Sequence, residues 1–123
     1  MAMDPTRPVR VCVRFDSPQS VAYRLFQQPP GGQESPFATG SSMDANPSCN
    51  NGGPFPNGTV IRWFMLIAGN PKTAFRIRID IEQGGTDVVP PVILSGTTDT
   101  GGTANEFGEV TLAAVAAGGA GGS

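Results

Sequence analysis

Asp80 and Glu82 are the pair of carboxylates in this chain best spaced for acid–base work. On one face of a strand their Cα atoms would stand about 6–7 Å apart, a separation at which a glycosidase divides acid and base roles between two side chains. Arg76 and Arg78 alternate onto the same face. A face that balances its own charge in this way is normally a solvated one. The expectation is a solvent face, not a catalytic pair.

The rest of the catalytic repertoire is thin. The sequence has no histidine, so the commonest general base, triad member and metal ligand is missing. Cys12 and Cys49 are its only cysteines. They are too few for a Cys/His zinc site, and neither has an imidazole to activate it as a nucleophile. Two cysteines do not make a disulfide framework, and a chain kept in the cytoplasm is expected to hold them as free thiols. If they did pair, the closed loop would contribute about 4 kcal/mol in the chain-entropy model.

Asp44, Asn46, Ser48 and Asn50 alternate oxygen-bearing side chains in the manner of a calcium loop. An EF-hand needs Gly at its sixth position and Glu at its twelfth. Cys49 and Phe55 stand there instead, so these residues read as turn formers. Gly84-Gly85 and Gly101-Gly102 lie between strand-like segments with no lysine-bearing phosphate loop beside them, which argues against a nucleotide site. Asn57-Gly58-Thr59 fits a glycosylation sequon, but it reads as a turn before a strand. Sugar-binding platforms need exposed aromatic rings. Trp63 and Tyr23 are the only residues of their kinds, and Trp63, inside the most apolar segment, is expected in the core. Carbohydrate binding is therefore the alternative, not the leading reading. No cofactor and no metal is expected.

Those residues must be carried by strands. Val9, Val11, Val13 and Phe15 alternate with Arg10, Cys12 and Arg14, the period of a half-buried strand. Residues 21–27 form a second. Residues 59–68, TVIRWFMLIA, are apolar on both faces and predict a central strand covered on both sides. Phe75, Ile77, Ile79 and Ile81 alternate with Arg76, Arg78, Asp80 and Glu82, which predicts a strand in hairpin with the preceding one. Residues 88–94 are broken by Pro90-Pro91, so that strand belongs at an edge or begins after Pro91. Residues 96–106 read as a loop, and Glu109 to Leu112 as a last short strand.

Between the second and third strands lie residues 28–58, rich in Pro and Gly and without periodicity. Loops of this length are usually functional or disordered. This one carries Phe37, Met43 and Phe55, which a flexible linker would not need. It is expected as an ordered excursion pinned at those residues, or as an arm that offers them to a partner as an interface.

The whole is expected to be all-β: a single small antiparallel β-sandwich, immunoglobulin-like or jelly-roll-like, over residues 1–117, with a Gly-rich tail at 118–123. The Cys–Trp–Cys spacing of antibody domains is absent, since Cys49 precedes Trp63. Charged residues make up only 15% of the chain and the net charge is -2. Arg7, Arg10 and Arg14 cluster near the start, but nothing basic is concentrated enough to track a nucleic-acid backbone. No apolar run approaches the length of a membrane span. The segment MAMDPTRPVR has no apolar signal core, so synthesis and retention in the cytoplasm are expected. The function expected from all this is a non-enzymatic structural or assembly protein, a homo-oligomer or part of a larger assembly such as a virion, as a capsid decoration or tail protein. The alternative is a carbohydrate- or ligand-binding sandwich.

Overall fold

The structure, a computed structural model, describes residues 3–16 and 19–114. Among these the elements are β1 (Val9–Phe15), β2 (Ser20–Gln28), β3 (Ser35–Ser41), β4 (Ser48–Gly52), β5 (Val60–Ala68), β6 (Ala74–Gln83), β7 (Thr86–Asp87), β8 (Val92–Thr97) and β9 (Thr103–Thr111). They pair into two antiparallel sheets. One has five strands, in the order β4-β1-β6-β7 with β8 also on β6; the other has four, in the order β3-β2-β5-β9. The architecture is all-β, with no helix among the described residues.

The core explains the arrangement. Val9, Val11, Val13, Phe75, Ile77, Ile79 and Ile81 from one sheet meet Val21, Tyr23, Leu25, Ile61, Trp63, Met65 and Ile67 from the other, all buried. Period-two alternation sends each of these side chains to one face of its strand. The strongest apolar faces, on β5 and β6, lie in different sheets and bury against the shared interior. The segments expected as a hairpin are therefore not one: β5 pairs with β2 and β9, and β6 with β1, β7 and β8. Filling one core from two sides satisfies both faces, whereas a hairpin would set them side by side.

The other departures have equally local causes. Residues 28–58 are not one long loop, since β3 and β4 lie within them. Neither strand alternates large apolar residues, so neither has a periodic signature; both are held by neighbours, β3 by β2 and β4 by β1. β9 reaches back to Thr103 through the stretch expected as a loop. Its inward residues Ala104, Glu106, Gly108 and Val110 are only half-buried, and so small or polar a set gives no strand pattern. β8 begins after Pro91 and among the described residues has a partner on one side only, as the prolines lead one to expect. At Gly84-Gly85 both φ angles are positive, 60° and 83°, the backbone of the tight turn that joins β6 to β7.

Cys12 and Cys49 form a disulfide, where free thiols were expected. They are directly opposed residues of β1 and β4. The strand that brings Cys49 there was invisible in the sequence, so the geometry for pairing was too. The tail at 118–123 lies outside the described residues.

Candidate interaction surface

Register decides which side chains share the outer face of the four-stranded sheet. Across β2, β5 and β9 the opposed sets are Ala22–Leu66–Asn105, Arg24–Phe64–Phe107 and Phe26–Arg62–Glu109. Directly opposed residues stand on the same face. Alternation therefore fixes these rows outward once Ile61, Trp63, Met65 and Ile67 turn inward. The result is an apolar strip in solvent: Phe107 is 75% exposed, Leu66 50% and Phe64 40%. Phe64 and Phe107 stack, their centroids 6.5 Å apart and planes 14° from parallel. The expectation that β5 is covered on both faces is thus corrected, because one of its faces carries this strip.

One charge at the end of the strip, Arg62, is already paired. Arg62 donates from Nε and Nη2 to Glu109 Oε1, at 3.1 and 2.8 Å, and forms a second ion pair with Glu34. A depression of about 300 Å³ is lined by Phe26, Glu34, Arg62, Trp63, Phe64 and Phe107. A wider one of about 610 Å³ lies alongside, over Ala22, Arg24, Thr39, Asp44 and Leu66. Beneath the strip the Trp63 indole packs over Gly108, where a Cβ would stand 2.7 Å from Cζ2. Trp63 is therefore core, as its sequence context predicts, and the exposed rings are phenyl groups.

The outer face of the five-stranded sheet is chemically opposite. Arg10 lies across from Glu82, and Arg14 from Arg78. Arg78 Nε sits 3.1 Å from both oxygens of Asp80. The carboxylate pair singled out in the sequence is thus embedded among arginines on a strand face, and Asp80 stands opposite Cys12 of the disulfide. No group of three or more acidic, Cys or His side chains capable of holding a metal occurs among the described residues.

The polar run at 44–50 does structural work. Asn46 accepts from the Phe15 N–H and donates to the Phe15 carbonyl, at 3.0 and 2.8 Å. Asn50 Nδ2 donates to the Tyr23 hydroxyl at 2.8 Å, and that hydroxyl shares a second hydrogen bond with Ser48 Oγ at 2.6 Å. Tyr23 belongs to one sheet and both partners to the other, so this chain of hydrogen bonds clasps the two sheets together. Gln83 similarly pins the N-terminal segment. It accepts from the Asp4 N–H and donates to the carbonyls of Asp4 and Arg7. Two turn carboxylates titrate below the ordinary value: Asp4, through the Thr6 hydroxyl and amide, and Asp99, through the Thr103 amide and hydroxyl.

The three residues expected as interface anchors are scattered. Phe55 is 3% exposed, in the protein's own core. Phe37 is half-buried and packs edge-on against it, centroids 5.7 Å apart. Only Met43, at 84%, is open to solvent. The strip itself escaped the sequence analysis. Phe107 sits in a polar stretch with no pattern to mark it, and only the β5–β9 register brings it to Phe64.

No protein-family model, curated protein or solved structure matches the chain. What fold and surface define is a class: a small antiparallel β-sandwich with an exposed apolar strip on the outer face of one sheet and charged rows on that of the other.

Proposed function

We propose that the protein is a non-catalytic assembly subunit that associates with copies of itself through the outer face of its four-stranded sheet. The observation that carries this reading is the strip of Phe64, Leu66 and Phe107 in solvent. Contiguous exposed apolar patches larger than a few hundred Å² are uncommon on monomers, and the largest apolar patch on a protein is often its interaction site. The pairing of Arg62 with Glu34 and Glu109 supports it further, because charges neutralised in advance lower the desolvation cost at an interface. A virion component, such as a capsid decoration or tail protein, is the setting we favour. Strand connections that repeatedly cross between the sheets support an immunoglobulin-like or jelly-roll-like topology.

Light scattering with sedimentation tests the reading. The wild-type chain is expected to associate, and Leu66→Ser to weaken that association with its melting curve intact. A wild-type chain that stays monomeric at all concentrations would overturn it. The Phe107 ring beside the Arg62–Glu109 pair also has the makings of a sugar platform. Saturable binding of an oligosaccharide by a strictly monomeric chain would establish that second reading instead.

A further inference from the structure

The strip ends at β9, and β9 is an edge strand whose free side can be worked out. Leu112 N–H donates to Thr59 O, and Gly69 N–H to Gly102 O, so even-numbered residues on this strand aim their backbone groups at β5. Odd-numbered residues aim away, and the strand ends show it. Thr103 exchanges bonds with Asp99, its N–H donating to Asp99 Oδ1 and its carbonyl accepting from the Asp99 N–H. Ala113 O accepts from Met3 N–H. Alternation in an antiparallel ladder then leaves the N–H and C=O groups of Asn105, Phe107, Glu109 and Thr111 pointing out of the sheet, with no strand beside them among the described residues.

Native edges are usually blunted by proline, lysine or a bulge. The opposite edge of this sheet follows that rule: β3 carries Pro36, and its pairing with β2 shifts register at Leu25/Phe26. β9, TANEFGEVT, has no proline, lysine or bulge; its charges are Glu106, which turns inward, and Glu109, which is paired with Arg62.

We propose that β9 pairs antiparallel with β9 of a second copy, centred on Phe107, and joins two four-stranded sheets into one. The proposal rests on the self-association reading and adds an edge contact beside the exposed face, since pairing in the plane of the sheet leaves Phe64 and Leu66 of β5 uncovered. The sequence of β9 complements itself in this register. Phe107 meets Phe107 of the copy, which extends the Phe64–Phe107 stack into a row of rings across the two-fold axis. Asn105 meets Glu109 of the copy. Arg62 bonds Glu109 through Oε1, and Oε2 is left to accept from the Asn105 amide. Each of these opposed positions has outward backbone groups on both strands, so the ladder closes with hydrogen bonds. Sliding one step sets Phe107 against Asn105 or Glu109. Sliding two sets Glu109 against itself, or Phe107 against Thr103, whose backbone the Asp99 turn already occupies.

Sedimentation combined with cysteine cross-linking tests the pairing on the full chain. Asn105→Glu puts like charges opposite each other twice per dimer and should raise the dissociation constant about tenfold or more, with an unchanged melting curve. A mixture of Asn105→Cys and Glu109→Cys chains should join through a short thiol cross-linker, while neither variant alone should. Association weakened by Leu66→Ser but not by Asn105→Glu would leave the assembly reading standing and overturn the edge pairing. Cross-links within either variant alone would overturn it too. A monomeric wild type would remove both.

Discussion

Phe64 of β5 and Phe107 of β9 stack with their centroids 6.5 Å apart on the solvent side of the four-stranded sheet. In an isolated chain this pair keeps much of its area in water. In the proposed assembly a second copy would cover it. Phe64→Ser should therefore weaken self-association about tenfold or more while changing unfolding by less than about 1 kcal/mol, as surface changes do. Sedimentation and a melting curve on the same sample check both halves.

Phe55 behaves in the opposite way. At 3% exposed, it belongs to the core cluster, with Phe37 packed edge-on against it. Phe55→Ala should cost about 3–5 kcal/mol, the usual loss for a buried ring, and denaturant unfolding measures it. A loss of association with unchanged stability would instead return Phe55 to the role of an interface anchor.

The Cys12–Cys49 bond closes a sequence separation of 37 residues. In the chain-entropy model that contributes about 4 kcal/mol by restricting the unfolded state. Reduction, or Cys12→Ser with Cys49→Ser, should lower the melting temperature accordingly. The loss should be felt first at β4, whose only strand partner among the described residues is β1, and hydrogen exchange of the β4 amides resolves this.

Acid should loosen the β8–β9 turn. Asp99 accepts from the amides of Gly101 and Thr103 and from the Thr103 hydroxyl, and the Thr103 bonds lead in holding its carboxyl below the ordinary 3.8. A lowered folded value means the contribution is fully present above 3.8 and is lost as pH falls through the folded value. Amide exchange at Gly101 and Thr103 should accelerate at that end of the range. Asp99→Asn should remove the pH dependence there.

The pattern of residues along the chain is enough to pick out the strands that build the core. In β1, β2 and β6 the alternation of large apolar residues with polar ones fixes strand, facing and burial at once, because a side-chain period of two leaves no other arrangement that hides Ile77, Ile79 and Ile81 together. It also marked Trp63 as core and the prolines before β8 as the start of an edge. Tertiary structure alone decided what depends on register between distant segments. β3 and β4 exist because β2 and β1 offer them ladders, and the disulfide because β4 sets Cys49 across from Cys12. The exposed apolar strip exists because β9 lies beside β5 with Phe107 level with Phe64. Local periodicity reports how one strand meets the core. It carries no information about which strand comes next to it, and the outer face of a sheet is made of those neighbours.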